Sequence, residues 1–254
     1  MLDTLKVSAD LVQVILKAEG ADPSNLRIAR EGLIKLVNNI GAKNFVNIAA
    51  KVLKNNFRIE GCNDIRVPLK RIFNLTLEEL EENLSEQKYN LPSEHPLVML
   101  SGDHKENIKK LKALRFSLGG LNLNKETTAE ATKNKLKQVQ DYYVELDLHI
   151  RKEEEILFPI LEQNGMQEHP QNLRDEHRGF RQILSEIIEI LKNFSSGNPD
   201  SVLEEMRKSK EKFILDISNH IFRETFIFYP AALEFITEPS LWEKIKEGFQ
   251  DLDR

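Results

Sequence analysis

Cysteine is almost missing from this chain. Of 254 residues only Cys62 carries a thiol, which excludes an intrachain disulfide and any Cys-x-x-Cys motif. Nothing in the surrounding IEGCNDIRV marks a thiolate site, so Cys62 reads as an inert thiol. An excess of positive charge is missing as well: the formal net charge is -5 and the pI about 5.8. Phosphate backbones and anionic lipid therefore meet no broad attracting surface, and neither nucleic acid nor membrane is an expected partner. No apolar run approaches the length of a membrane span. The first ten residues, MLDTLKVSAD, carry an early Asp and lack the apolar core of a secretion signal, so a cytoplasmic location is expected.

What the chain does have is helical periodicity. With 40% hydrophobic and 30% charged residues it can bury one large core or two modest ones. Apolar residues recur at helical spacing almost throughout, while Pro and Gly collect in short stretches, which predicts an all-α protein. Helices are predicted over 2–19, 24–40, 43–57 and 76–88, joined by GADPSN, IGAKN and RIEGCNDIRVP, as a small N-terminal helical domain over 1–90. YNLPSEHP (89–96) reads as a linker, with Ser93 or Glu94 near a helix N-terminus. Longer helices follow at 94–118, 127–163, 168–194 and 199–236, separated by SLGGLNLNKE, QNGMQE and SSGNP, and PSLWEKIKEGF forms a short last helix. Four long helices with short loops predict an up-down-up-down four-helix bundle within 91–254.

The long helices carry an internal repeat. EHPLVMLSGDH (94–104) returns in outline as EHPQNLRDEH (168–177), and HIRKEEEILFP (149–159) returns as HIFRETFIFYP (220–230). All six histidines fall into pairs: His95 with His169, His104 with His177, and His149 with His220. In the second motif each His is followed four residues later by Glu and six beyond that by Pro. Residues four apart share a helix face, so His149 with Glu153, and His220 with Glu224, each present an imidazole beside a carboxylate. Measured at 1.5 Å of rise per residue from the turn between the second and third long helices, His104, His149, Glu153, His177, His220 and Glu224 lie between roughly 13 and 24 Å, one slab of the bundle. His95 and His169 sit at helix starts, roughly 12 to 14 Å from that slab, where turn or capping roles are expected.

Two carboxylates and four imidazoles in a bundle core are destabilising without a compensating charge, and metal ions provide one. The set is too large for a single tetrahedral zinc and suits two metals, each held by two His and bridged by both carboxylates. Iron is the expected metal; nitrogen and oxygen donors without thiolate also suit manganese or zinc. Glu145 and Asp216 each precede a histidine of the slab by four residues, where a carboxylate could orient the imidazole or relay protons, and Glu145 is a candidate catalytic residue. Glu154 and Glu155 read as solvated acids, and Phe158, Phe222, Phe226 and Tyr229 as core and pocket wall.

The motifs DH (103–104), HIRKE (149–153), EH (176–177) and HIFRE (220–224) resemble the hemerythrin-like (HHE) family, and in particular its iron-sulfur cluster repair branch. The resemblance covers about 94–236. It implies a non-heme pair of iron ions with an oxo or hydroxo bridge, His104, His149, His177 and His220 as terminal ligands, and Glu153 and Glu224 as bridges. Oxygen-carrying hemerythrins place a further histidine one turn from the ligand on the third helix. Here the positions four before and four after His177 are Leu173 and Arg181. The resemblance therefore implies activation of a small molecule such as nitric oxide, peroxide or oxygen, or release of iron, rather than reversible oxygen carriage. Protection or repair of iron-sulfur proteins under nitrosative or oxidative stress is the expected role; the alternative is a module that senses oxygen or nitric oxide and signals through the N-terminal helices. Glu176, beside His177, resembles an acid found near the metals of repair proteins and is a second candidate catalytic residue. The first 90 residues resemble a helical domain of unknown function that precedes hemerythrin domains, although repair proteins often carry an N-terminal cysteine pair and here only Cys62 is present.

Overall fold

A computed structural model describes residues 4–19, 22–54, 64–87, 89–119, 129–193 and 200–254. Cys62, most of SLGGLNLNKE and all of SSGNP lie outside the described residues. Among the described residues the fold is all-α, with no strand, and no helix is long and apolar enough to cross a membrane. The chain divides into two compact units: Met1–Thr76 with Ile221–Thr237, and Leu77–His220 with Glu238–Arg254.

The first unit contains α1 (Thr4–Leu16), α2 (Pro23–Ile40), α3 (Ala42–Lys54) and α4 (Arg66–Ile72). Asp22 starts α2: its carboxylate accepts hydrogen bonds from the Ser24 and Asn25 amides at 2.9 and 3.3 Å, and Pro23 fills the first turn, where no amide donor is needed. Between α2 and α3 the chain turns at Gly41, with φ 83°, a conformation that disfavours any side chain. Glu234 caps α3 from a distant part of the sequence, accepting from the amides of Ala42 at 2.6 Å and Lys43 at 3.2 Å. A carboxylate there satisfies orphan donors and meets the positive end of the helix dipole. Arg30, buried on α2, donates to the Ile72 carbonyl at 2.9 Å and so ties down the end of α4. Helix α4 begins inside the segment expected to be a connection. Its seven residues, with Pro68 among them, are too few to display a helical period, and its existence depends on packing against α1 and α2.

The second unit contains α5 (Leu77–Glu86), α6 (Pro96–Gly119), α7 (Ala129–Arg151), the π-helical segment π1 (Lys152–Leu157), α8 (Phe158–Gln163), α9 (Glu168–Lys192) and α10 (Asp200–Arg223) up to His220. α10 runs on into a second π segment, π2 (Glu224–Phe228), then α11 (Tyr229–Phe235). The last helix, α12 (Pro239–Leu252), packs on α6 and π1 in the second unit. The four long helices expected from periodicity are all present. α5 lies along α6, where Glu78 pairs with Arg115 and Glu81 with Lys112. Gly248 of α12 sits so near π1 that a Cβ there would stand 2.9 Å from Ile156 Cγ2.

The two π segments occupy equivalent places in the repeat and share a cause. Pro159 and Pro230 each fall inside a continuous helical run. A proline has no amide hydrogen, and its ring collides with the carbonyl four residues earlier in an α-helix. The turn before each proline is widened instead: the Phe158 amide bonds to the Glu153 carbonyl and the Tyr229 amide to the Glu224 carbonyl, both five residues back. Each of these five-residue bonds therefore closes on the carbonyl of the Glu of a His-x-x-x-Glu motif, a register change that a uniform helical period does not display.

Candidate metal centre

All six residues of the slab are buried in the structure: His104, Glu153, His177 and Glu224 have no exposed surface, and His149 and His220 retain 3% each. One ligand-capable atom from each of Glu153, His177, His220 and Glu224 lies within 4.8 Å of all the others, and the same holds for His104, His149 and Glu224. His149 Nε2 stands 3.7 Å and His177 Nε2 3.4 Å from the same Glu153 oxygen, Oε2. His104 and His149 have ring centroids 4.8 Å apart, as do His177 and His220.

The orientation of the rings is set from behind by carboxylates. His149 Nδ1 meets Asp103 at 3.4 Å, His177 Nδ1 meets Glu154 at 2.9 Å, and His220 Nδ1 meets Glu176 at 2.8 Å. An ionised carboxylate only accepts, so in each pair the Nδ1 carries the hydrogen and Nε2 presents its lone pair to the interior. Burial raises the Asp103 carboxyl, but its contacts with His149 and Lys152 outweigh that and hold it below the usual aspartate value. Glu154 behaves alike: burial pushes it up, and hydrogen bonds from His177 and Arg181 bring it below the usual glutamate value. Both groups are therefore charged acceptors at neutral pH. The repeat explains two of the three partners. Asp103 directly precedes His104 and holds His149, while Glu176 directly precedes His177 and holds His220. The doubled pattern of an acid followed by His thus supplies, in each half, one inward imidazole and the carboxylate that aims another.

His177 Nε2 and His220 Nε2 face each other at 3.0 Å. With both Nδ1 atoms carrying hydrogen, two lone pairs would meet there, an arrangement that calls for a shared cation. The oxygen and nitrogen donors without sulfur suit a cation such as iron, manganese or zinc.

Glu176 thus lies against His220, whereas Glu145 is half exposed and pairs with Lys110, apart from both buried groups. Asp216 pairs with Lys212 at 2.8 Å. His95 accepts from the Leu97 amide at 3.2 Å at the start of α6 and packs on Trp242, a local capping arrangement. Glu154 corrects an expectation: rather than being solvated it joins His177 to Arg181, whose guanidinium also contacts Asp147 at 2.7 Å. The sequence signal for it was Arg181, which lies one helical turn after His177 on a face that must contact α7. Asp103, part of the DH motif, and Lys152 also belong to the surroundings of the rings, a placement that no local spacing signals. Phe158 stacks on His177 with centroids 6.0 Å apart and planes 12° from parallel, and Phe180 lies edge-on to His220 at 5.0 Å. The rings are thereby enclosed by apolar walls that keep water away and strengthen every charge interaction inside.

Comparison with known proteins agrees with the geometry. The Hemerythrin HHE cation binding domain family matches residues 95–232. No curated protein and no solved structure is a significant match to the chain.

Proposed function

This chain belongs to the hemerythrin HHE cation-binding domain family, and we propose that it is a non-heme di-iron protein that reacts with a small oxidant or nitric oxide in the protection or repair of iron-sulfur proteins. In this reading His104, His149, His177 and His220, together with the carboxylates of Glu153 and Glu224, would hold the two metals. The observation that carries it is the pair of buried His and Glu groups, each with ligand atoms within 4.8 Å.

A pair of ferrous ions would supply two electrons and Lewis acidity at one enclosed point. The chain's own contribution is to orient, exclude water and hold charge. Asp103, Glu154 and Glu176 fix three imidazoles as Nδ1–H tautomers and raise their basicity at Nε2. Phe158 and Phe180 restrict the volume around the rings and exclude solvent. Glu176 Oε2, 2.8 Å from His220 Nδ1, is placed to hold that ring's proton while its own side chain remains one-third exposed, so it has a route to solvent. The positions one turn before and one turn after His177, where an oxygen carrier would have a further histidine at one or the other, are Leu173 and Arg181, and Arg181 is engaged by Asp147 and Glu154. Its guanidinium offers no lone pair to a metal, which favours an open coordination position and small-molecule activation over reversible oxygen carriage.

The test is an anaerobic titration of the reduced, iron-loaded protein with nitric oxide, recording nitrous oxide released and iron retained. Nitrous oxide formation that disappears in Glu153→Ala and His220→Ala supports the reading. A stable nitrosyl adduct without gas would replace it with sensing, and iron loss without gas would replace it with iron donation.

A further inference from the structure

We propose that Asp253 and Lys152 are positioning residues for His149, so that α12, outside the four long helices, tunes the candidate metal centre. This inference rests on His149 being a metal ligand.

Lys152 is the first residue of π1, and its side chain is 7% exposed. A buried ammonium is destabilising unless paired, and Lys152 is paired twice. Its Nζ lies 3.0 Å from Asp253 Oδ1 and 3.4 Å from Asp103 Oδ2. That same Asp103 oxygen lies 3.4 Å from His149 Nδ1. A line of alternating charge and hydrogen bonding therefore runs from Asp253 through Lys152 and Asp103 to His149. Its first residue follows α12 and its last faces Glu153.

The geometry around this line is tightly constrained. α12 packs against both π1 and α6, the two elements that carry Lys152 and Asp103. Gly248 allows the approach: a Cβ there would stand 2.9 Å from Ile156 Cγ2, in the same π segment as Lys152. Ile245, three residues before Gly248, and Phe249, directly after it, are fully buried and anchor the helix. The widened turn of π1 and the docking of α12 together decide where the ammonium sits. The ammonium in turn holds in place the Asp103 oxygen that accepts from His149. Weakening the Asp253 contact loosens Lys152, and with it the placement of that carboxylate against the imidazole.

The internal repeat provides a contrast. The residue matching Lys152 is Arg223, whose guanidinium lies over the Phe73 ring at 5.9 Å. The corresponding cation of the second copy thus faces an aromatic ring, and the two metal positions are expected to respond differently to loss of the Lys152 contacts.

The experiment measures cobalt(II) binding to the full chain, by competition with a chelator and by the visible ligand-field spectrum, in wild type, Asp253→Asn, Asp253→Glu, Lys152→Met and His149→Ala. Changes to groups that orient a metal ligand typically cost 10- to 100-fold in affinity, so a loss of about 10-fold at one of two sites is expected for Lys152→Met and a smaller loss of the same kind for Asp253→Asn. Both should shift the spectrum in the same direction, and Asp253→Glu should restore it. Thermal unfolding of the metal-free proteins separates this from loss of structure: Asp253 is 40% exposed, and Asp253→Asn should unfold close to wild type. If Lys152→Met fails to fold, Asp253→Asn decides alone. Wild-type affinity and spectrum in Asp253→Asn, with binding impaired in His149→Ala, would overturn the linkage while leaving the ligand set standing. Wild-type binding in His149→Ala would overturn the ligand assignment and the linkage with it.

Discussion

His177 and His220 direct their Nε2 atoms at each other across 3.0 Å, while Glu154 and Glu176 hold the opposite ring nitrogens. Two carboxylates thus hold the rings from behind while the two Nε2 atoms are turned toward each other. The Glu176→Gln variant keeps the shape of the side chain and removes its charge. Metal affinity is expected to fall about 10-fold or more, with helix content unchanged. Chelator competition checks it, and an affinity equal to wild type would show that Glu176 does not orient His220.

The prolines that end the π segments bear on the site through register. Pro159→Ala restores an amide donor and removes the ring that disfavours an α turn, which relieves up to about 3 kcal/mol of helix strain. The metal-free variant is expected to be at least as stable as wild type in urea, yet to bind metal more weakly, because relaxation of π1 rotates Glu153. Equal affinity would separate the π turn from ligand placement.

Gly41 tests the first unit alone. Its φ of 83° and the Glu234 oxygens 3.0 and 3.2 Å from a would-be Cβ both oppose a side chain. Gly41→Ala is expected to destabilise the protein by about 1 to 2 kcal/mol, from the left-handed backbone alone. A urea midpoint unchanged from wild type would contradict this.

Asp22 gives a pH dependence. Hydrogen bonds from the Ser24 hydroxyl and then from the Asn25 and Ser24 amides lower its carboxyl below 3.8. A carboxyl depressed by folding contributes stability that is present above the ordinary value and lost as pH falls through the folded value. The Asp22 side-chain carbon resonance should therefore titrate with a midpoint below 3.8. A midpoint at or above it would mean the α2 cap is not formed.

The helices and the buried histidines were legible because both are written locally. Apolar residues at helical spacing mark each long helix, and His149 with Glu153 and His220 with Glu224 share a face at four-residue spacing whatever the tertiary structure. The duplication placed both pairs in the same slab by rise per residue alone. Local pattern could not reveal α4, whose seven residues around Pro68 depend on packing. Nor could it reveal which acids aim the rings. Asp103, Glu154 and Lys152 act across helix interfaces, and their partners depend on the rotation of one helix against the next, which the widened turns alter. Glu145 illustrates the reverse: four residues before His149 is the correct spacing for a partner, but its carboxylate turns outward to Lys110. That these four histidines and two glutamates come together was readable from types and spacing; the charges that orient the rings required the fold.

Iron stoichiometry tests the central claim most directly. The full chain is loaded anaerobically with ferrous iron, desalted, and assayed for iron per chain alongside Glu153→Ala and Glu224→Ala. The expected result is two irons in wild type, with iron lost in both variants. Absence of bound iron in wild type, or wild-type iron content in both variants, would contradict a two-metal centre built from His104, His149, Glu153, His177, His220 and Glu224.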